Sequence, residues 1–493
     1  MSRRLFRDIT KYAPGLVLSI VLGAGSTAIF ARLASPEDLG TYLLLFALAT
    51  SVSAPLGLWL AQAALRLLPA YVRDGRPGKF LHALFLLELA LGGLATLLVG
   101  GVLWLGFGGR YFQGAYLLPA AVTTFFSVIV AVQGAILQAT FASGRWSIYA
   151  TLGSLAKLLL SVALFPILGA VSALLWGAAI ATVGVWLVRE VQQRRELPMD
   201  SSVGMLELRQ MWTEMTSFGT PFALAGIGEQ VLTFSDRYII GALLGPAAVA
   251  LYSTNYSIAE KLFALIQAPL IYASGPHLNT HWEHGAAAEA ERLIRTAMRW
   301  LFMIGVAILA FTIVRSRLLS ALVLGDSLAE GHLVIPIVTA SILVWAASQY
   351  GHASFQLGKI SWIIAATLLI AAVANTLAVL WLTATIGYLG GALGTGAGYL
   401  VYAILVFVVS RLRGPLPWRI PWLTLAHVVC GAAAAVVFWA TIVPERLTSF
   451  GDLAAALLGG GLGLLAYVLL LVAFGELPSN LRMADLKFGR GRA

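Results

Sequence analysis

Long apolar segments separated by short polar turns follow one another along the whole chain. An α-helix needs about 20 apolar residues to cross the hydrocarbon core of a bilayer. The boundary between the fifth and sixth segments depends on Pro166 and Gly169 alone. The pattern predicts an all-α polytopic membrane protein with about fourteen spans, at residues 13–33, 40–66, 80–106, 114–142, 147–168, 169–189, 213–241, 247–275, 296–315, 332–356, 361–385, 388–410, 420–443 and 451–474.

The composition argues against a soluble enzyme. Of the 493 residues, 59% are hydrophobic and only 11% are charged, whereas an average soluble domain carries about 25% charged residues. Mean hydropathy is +0.88. Too few polar side chains remain to coat a water-soluble particle of this size. The single cysteine, Cys430, lies in an apolar run, so it excludes an intrachain disulfide and says nothing about the redox compartment.

The distribution of basic residues predicts the topology. If the N-terminus is cytoplasmic, 23 of the 32 lysines and arginines fall in inside segments, five fall in outside loops and four lie within spans. This bias follows the positive-inside rule and predicts an even number of spans with both termini in the cytoplasm. The outside loops are all too short to hold a catalytic domain. We therefore expect no extracytoplasmic catalytic domain, and we do not expect an enzyme.

One long inside linker divides the predicted spans into groups. We expect an N-terminal six-helix lobe at residues 1–195, a cytoplasmic linker at 196–212, a second six-helix lobe at 213–413, and a terminal helix pair with a cytoplasmic tail at 414–493. The apolar positions of the linker near Met205 and Met211 predict an amphipathic helix that lies at the membrane interface before span seven.

A weak internal repeat supports the two lobes. Pro36 and Tyr42 flank the turn between spans one and two, and Pro246 and Tyr252 flank the turn between spans seven and eight. The offset is 210 residues, and both turns are the first outside turn of their half. Because six spans is an even number, the two lobes are predicted to be parallel repeats, related by a pseudo-two-fold axis along the membrane normal.

These turns carry a resemblance to a known family. Residues 31–42 (ARLASPEDLGTY) and 236–241 (DRYIIG), with Tyr252 and residues 259–262 (AEKL), resemble motifs of the Wzx-like polysaccharide flippases. These flippases belong to the multidrug/oligosaccharidyl-lipid/polysaccharide exporter superfamily. The sequence departs from the family pattern at Leu251, where a glycine is usual.

The resemblance implies a location, a mechanism and partners. It implies a bacterial inner-membrane flippase that moves undecaprenyl-diphosphate-linked glycan units from the cytoplasmic to the periplasmic leaflet by alternating access of two lobes. The implied partners are that glycan, membrane lipids, and the polysaccharide polymerase and export machinery. Nucleic acid is not among them.

Ionisable residues within the spans are the candidate site residues, because a charge costs about 2.5–3.5 kcal/mol or more at the centre of a membrane helix. By the predicted boundaries they are Arg66, Glu88, Lys157, Glu229, Asp236, Arg237, Glu260 and Lys261. On the functional interpretation, the four cations line a cavity for a diphosphate head group. On the structural interpretation, the charges form interhelical salt bridges or reach the interface.

The acidic members are candidates for coupling to a cation. Asp236, Glu229 and Glu88 could carry protons or sodium. Glu229 and Asp236 are seven residues apart, near one helix face. Asp236 and Arg237 are adjacent, so we expect their side chains to point different ways. Asn255 could hydrogen-bond a sugar hydroxyl, although an interhelical hydrogen bond is equally compatible with its position.

Two further patterns have structural interpretations. The glycines of residues 394–398 (GTGAG) lie inside a span, so they indicate close helix packing and not a nucleotide loop. His277, His281 and His284 have a spacing that could suit a metal, but their surroundings indicate a solvated loop. We expect no metal and no cofactor.

Three classes of function remain for comparison. The first is a lipid-linked oligosaccharide flippase, and the alternative is a cation-coupled multidrug or metabolite exporter of the same superfamily. A drug exporter for cations is expected to have an acidic cavity, whereas the intramembrane basic residues favour an anionic head group. The third, a membrane glycosyltransferase or polymerase, lacks an Asp-x-Asp motif and a sizeable outside loop.

Overall fold

The computed structural model describes residues 3–105, 114–140, 142–358, 360–416 and 418–477. Within these ranges the chain is helical with short turns and contains no β-strand. The helices are α1 Arg3–Leu33, α2 Pro36–Arg73, α3 Pro77–Leu105, α4 Leu117–Ala139, α5 Ser143–Glu196, α6 Met205–Leu244, α7 Pro246–Glu283, α8 Ala287–Leu324, α9 Asp326–Ala329, α10 Val334–Leu357, α11 Ser361–Ile386, α12 Tyr388–Arg413, α13 Trp422–Ile442 and α14 Phe450–Ala473.

The helix lengths confirm the all-α polytopic class. In the described part of the chain, ten helices are long and apolar enough to cross a membrane. Helix α5 has 54 residues, which as one straight helix would be about 80 Å long. It is broken at Gly169, where φ is 72° and ψ is 174°. The predicted division between the fifth and sixth spans is therefore confirmed, and α5 contains two spans.

The two parts of α5 pack against each other as an antiparallel pair. A Cβ on Gly177 would lie 2.8 Å from the backbone nitrogen of Ser161, and a Cβ on Gly153 would lie 3.1 Å from the Val185 side chain. Left-handed φ values favour glycine because it has no Cβ. Gly169 thus provides the turn that brings the second part of α5 back along the first.

The two repeat turns begin helices in the same way and contact each other. Pro36 and Pro246 are the first residues of α2 and α7, a position where the missing N–H has no helical partner in any case. The Ser35 hydroxyl caps α2 by accepting a hydrogen bond from the Asp38 backbone at 3.1 Å. A Cβ on Gly40 would lie 1.8 Å from the Pro246 carbonyl oxygen. Only glycine at position 40 allows this approach.

The predicted interfacial helix before span seven is not a separate element. Helix α6 begins at Met205 and continues without interruption to Leu244. Met205 is 78% exposed, but Met211 and Met215 are buried against α2 and α3, and the Trp212 indole donates a hydrogen bond to the Ala83 carbonyl at 2.9 Å. The prediction of a separate interfacial helix was wrong, because Met211 and Met215 face protein, although Met205 and Leu206 are exposed.

The chain divides into two compact units. The larger unit contains Lys11–Ser253 and Ile360–Gly398, and the smaller unit contains Thr254–Lys359 and Tyr399–Ala493 together with Met1–Thr10. Helices α1, α7 and α12 each have residues in both units. The predicted lobe boundaries, at residues 195 and 213, stay a prediction.

A buried ionic cluster in the smaller unit connects α8, α13 and the end of α14. The Glu476 side chain is only 6% exposed. Its carboxylate accepts hydrogen bonds from Arg299 at 2.7 Å and Thr424 at 3.1 Å, and it lies 2.9 Å from the His427 ring. Burial raises the pKa of the Glu476 carboxyl, but the bonds from His427, Arg299 and Thr424 together hold the pKa below its usual value.

This cluster predicts a pH-dependent stability. Because the pKa of Glu476 is lowered in the folded state, its contribution is fully present above the ordinary carboxyl pKa of about 4.3 and is lost as pH falls through the folded value. We expect Glu476→Gln to lower the free energy of unfolding at pH 7 by about 2 kcal/mol, the scale of a hydrogen bond to a charged group. Thermal unfolding of wild type and variant at pH 7 and pH 4 measures this.

Glu445 provides the matched control, since its side chain is exposed. Glu445→Gln should leave the unfolding midpoint within experimental error at both pH values. If Glu476→Gln lowered the free energy of unfolding by the same amount at pH 7 and pH 4, the stabilisation would not come from the ionised Glu476 carboxylate.

Candidate functional site

A cavity lies within the larger unit between α4 and the two antiparallel parts of α5. Its volume is about 390 Å³. The wall is apolar apart from a few positions on these helices. The polar and aromatic residues that line it are Gln138, Trp146, Tyr149, Ser154, Lys157, Thr182 and Arg189. Two of them carry positive charge, and none carries negative charge.

Lys157 reaches this cavity from the first part of α5. Its ammonium lies over the Phe46 ring at 4.7 Å from the centroid and over the Tyr42 ring at 5.8 Å. Among the described residues, no carboxylate lies within ion-pair distance of it, and no acceptor forms a hydrogen bond with it. Aromatic faces stabilise a cation by about 1–2 kcal/mol but leave its N–H donors unused. Lys157 can therefore donate hydrogen bonds to an anion in the cavity.

Arg189 reaches the same cavity from the second part of α5. The residue is 6% exposed. The guanidinium lies 5.0 Å from the Tyr149 ring centroid and donates one hydrogen bond, to the Val130 carbonyl at 3.2 Å. Its Nε is buried and has no hydrogen-bond partner among the described residues. Since a buried charge is costly unless it is paired, an arginine with most of its donors unused is an unusual feature of the cavity wall.

A separate acidic group lies behind this wall. Glu190 is neutralised by Arg194 at 2.6 Å and accepts a hydrogen bond from Gln133 at 3.0 Å. Glu88, on α3, is 4% exposed and interacts electrostatically with Glu190. Glu190 is therefore paired with Arg194 and not with the adjacent Arg189. Within the described ranges, the Glu88 carboxylate forms no hydrogen bond or ion pair.

A buried polar cluster surrounds Asp236 on α6. Asp236 is fully buried. Its carboxylate accepts hydrogen bonds from the Tyr252 hydroxyl at 2.5 Å and the Thr395 hydroxyl at 3.2 Å. Next to it, the Ser235 hydroxyl donates to the Asn375 side chain at 2.7 Å. The cluster joins α6, α7, α11 and α12 through oxygen atoms, which are the ligands that protons and hard cations require.

Arg237 belongs to the same cluster. Its guanidinium lies 3.1 Å from the Asp236 carboxylate, donates to the Thr233 carbonyl and lies over the Phe234 ring at 4.9 Å. The expectation that adjacent residues would point different ways was wrong. The arginine side chain is long enough to bend back along the helix, so the two charges neutralise each other.

Asn255, Lys261 and Glu260 lie on α7 in the smaller unit. Asn255 is fully buried, donates to the Leu328 carbonyl at 2.9 Å and accepts from the Ser320 hydroxyl at 2.6 Å. These bonds attach α7 to α8 and α9. Lys261 is half-buried, and Glu260 is exposed.

Arg66 and Glu229 have exposed side chains in the larger unit. Glu229 is two turns from the buried Asp236 on α6, so the two differ in environment despite their spacing. Of the predicted site residues, the structure brings Asp236 and Arg237 into direct contact. The candidate roles of all eight stay predictions.

Sequence reasoning missed Arg189, Tyr149 and Thr395. Arg189 was counted among the cytoplasmic charges because it follows the last apolar residue of the sixth span. The second part of α5 continues to Glu196, which places Arg189 beside α4. Gln138 in span four was noticeable as a polar side chain at membrane depth, and it lines the same cavity. Polar residues in neighbouring spans were therefore the sequence feature that could have indicated this cavity.

The fold defines a polytopic helical membrane protein. The sequence profile of the family described as "Polysaccharide biosynthesis protein" matches residues 5–276. The chain therefore belongs to the polysaccharide biosynthesis protein family, and the resemblance found at the two repeat turns is confirmed. A search of curated proteins found no match.

Solved structures share the fold. The lipid II flippase MurJ, in an inward closed conformation, matches with a TM-score of 0.76 at 13% identity, over 94% of this chain and 98% of that chain. A multidrug resistance MATE family transporter of the MOP superfamily, outward-facing, matches with a TM-score of 0.61 at 16% identity, over 82% and 95%.

A third structure is a MOP superfamily transporter from Pyrococcus furiosus described by the reverse polarity of its binding pocket. It matches with a TM-score of 0.61 at 17% identity, over 82% and 95%. At these identities the likeness establishes the fold. The fold is thus shared with flippases and transporters, and the apolar helices make this chain a multi-pass membrane protein.

Proposed function

We propose that this protein is a flippase for undecaprenyl-diphosphate-linked oligosaccharide units. It moves them across the bacterial inner membrane by alternating access, for surface or exopolysaccharide biosynthesis, and both termini are cytoplasmic. The observation that carries the substrate class is Lys157. It lines the cavity between α4 and the two parts of α5, and its ammonium has aromatic rings beside it and no carboxylate partner among the described residues.

An anionic substrate follows from the sign of this charge. A cavity built to hold cationic drugs would place unpaired carboxylates in its wall, because opposite charges attract strongly where water is scarce. The polar residues of this wall are cationic or neutral. The acidic Asp236, in contrast, is neutralised by Arg237 at 3.1 Å. This arrangement favours the flippase over the exporter of cations.

The Asp236 cluster is our proposed coupling site. A carboxylate bonded to the hydroxyls of Tyr252 and Thr395, with the Ser235–Asn375 hydrogen bond next to it, offers oxygen ligands to a proton or a small cation. Binding of a cation there would weaken the Asp236–Arg237 pair, and this exchange would bias the conformations of α6 and α7. Glu88 and Glu229 remain further candidates for the same role.

Lys157→Gln should impair export. The substitution keeps a hydrogen-bonding side chain but removes the positive charge. Losing one charge-assisted hydrogen bond costs about 1.5–3 kcal/mol, so we expect surface polysaccharide to fall about tenfold or more. The assay is complementation of a strain that lacks the gene, with polysaccharide and the amount of membrane-inserted protein quantified together.

Two variants accompany this test. Lys157→Arg keeps the charge and should retain most of the export. Lys79→Gln removes a lysine that pairs with Glu207 at 3.0 Å outside the cavity, and it should export normally. Full polysaccharide with Lys157→Gln, or normal polysaccharide in the null strain together with new drug sensitivity, would argue against the flippase.

A further inference from the structure

Arg189 lies where two cavities of the larger unit meet. It lies in the wall of two cavities: the cavity of about 390 Å³ described above, and a smaller one of about 230 Å³ towards the end of α5. Tyr149 is the second residue common to both walls. The smaller cavity also contains Arg145, which is neutralised by Glu196 at 2.6 Å. Arg189 is therefore the cation at the junction that has no carboxylate partner among the described residues.

The guanidinium is fixed in position but has donors to spare. The Tyr149 ring and the Val130 carbonyl hold it from two sides. A guanidinium has five N–H donors, and the one hydrogen bond to Val130 uses one of them. A rigid arginine with unused donors is suited to binding the oxygens of a phosphate group in a bidentate manner.

A second donor lies next to Arg189 because residue 134 is a glycine. A Cβ on Gly134 would lie 3.5 Å from the Trp146 indole nitrogen and 4.0 Å from Arg189 Nη1. Both nitrogens therefore face the same small region of the cavity wall. The indole has an N–H donor and no acceptor, so neither side chain presents a hydrogen-bond acceptor to this region.

Lys157 lines the same cavity. Tyr149 and Arg189 are at the same level of the antiparallel pair, and Lys157 is eight residues further along the first part of α5. At 1.5 Å per residue this is about 12 Å along the helix axis. Arg189 and Lys157 both have long side chains and line the same cavity.

We propose that Arg189 and Lys157 form a two-point site for a diphosphate group, with Arg189 as the bidentate ligand and Lys157 as the second charge. The proposal rests on the proposed function, and it adds the residue and the place in the fold where the head group of the substrate binds. The shared chemistry is a diphosphate, which either a polyprenyl lipid or a soluble compound could supply.

Binding to the full-length protein in nanodiscs tests the site directly. Isothermal titration with inorganic pyrophosphate should give saturable binding to wild type. Arg189→Gln should weaken that binding at least tenfold, and Lys157→Gln should also weaken it. Arg189→Lys keeps the charge but loses the bidentate geometry, so its affinity should be intermediate. Arg295→Gln is the control, because Arg295 is half-exposed and paired with Glu291 at 2.9 Å.

A second arm distinguishes the two sources of the diphosphate. Undecaprenyl diphosphate incorporated in the nanodisc should displace pyrophosphate from wild type. Displacement supports the lipid source. If pyrophosphate binding depends on Arg189 but is not displaced by the lipid, the site binds a soluble diphosphate and the lipid source is overturned. The thermal unfolding midpoint of each variant shows whether it is folded. If Arg189→Gln is misfolded, the comparison with wild type uses Arg189→Lys.

The outcomes separate this site from the flippase function. Equal pyrophosphate affinity for wild type and folded Arg189 variants overturns the site, whatever the export assay gives. Loss of pyrophosphate binding in Arg189→Gln, combined with normal polysaccharide in a strain lacking the gene, leaves the site standing and overturns the proposed function.

Discussion

Asp236→Asn is expected to destabilise the protein and to abolish export. The substitution leaves the Arg237 guanidinium buried beside a neutral amide in place of the carboxylate now 3.1 Å away. Breaking a buried ion pair by removing one partner costs about 3–5 kcal/mol. The new amide group would also face the donating hydroxyls of Tyr252 and Thr395. Thermal unfolding in detergent and the polysaccharide complementation assay measure the two effects.

The double variant Asp236→Asn with Arg237→Gln separates the ion pair from the coupling role. Since the two residues are in contact, their effects on stability should not be additive. We expect the double variant to recover part of the lost stability, because no charge is left buried, but to remain inactive, because the proposed coupling carboxylate is gone. Recovery of export along with stability would contradict the coupling role of Asp236.

Much of the fold was accessible from sequence because the membrane imposes one rule on every span. A helix that crosses a bilayer must be apolar over a minimum length. Helix α5 is long enough for two such crossings, and Gly169 separates them. The linker before span seven was misjudged for a related reason. Leu208 and Met211 are as apolar as residues that bind a membrane surface, and hydropathy alone does not say whether protein or lipid covers them.

The candidate site was less accessible because partners come from other helices. The charge of Lys157 at membrane depth was visible in the sequence, but the rings of Tyr42 and Phe46 beside it depend on how α2 packs against α5. Arg189 looked like an ordinary cytoplasmic charge. Its position became apparent only with the turn at Gly169, which returns the chain along Tyr149.

The glycine motif of α12 was interpreted correctly as close helix packing. A Cβ on Gly394 would lie 2.6 Å from the backbone of Val379, and a Cβ on Gly398 would lie 2.5 Å from the Asn375 Cβ. The two glycines are one turn apart and face α11. Small residues at this spacing allow two helix backbones to approach closely, and within a membrane this packing replaces the hydrophobic driving force.

Gly394→Val should therefore be strongly destabilising. Overpacking costs about 1–3 kcal/mol, and occasionally more, when side chains can adjust. Here the atoms that collide with the new Cβ include the backbone of Val379, which cannot rotate away, so we expect a loss at or above the upper end of that range. The measurements are the thermal midpoint and the yield of monodisperse protein in detergent.

Gly93→Val is the control for this substitution. Gly93 lies inside helix α3, and a Cβ there meets nothing within 4 Å, so the variant carries the same change in helix propensity without the collision. The difference between the two midpoints therefore isolates the cost of separating α11 from α12. Because Thr395 follows Gly394 and donates to Asp236, the same displacement should also weaken export in whatever protein folds. Equal midpoints for the two variants would show that α11 and α12 have room to separate, and the position of Thr395 would then need another explanation.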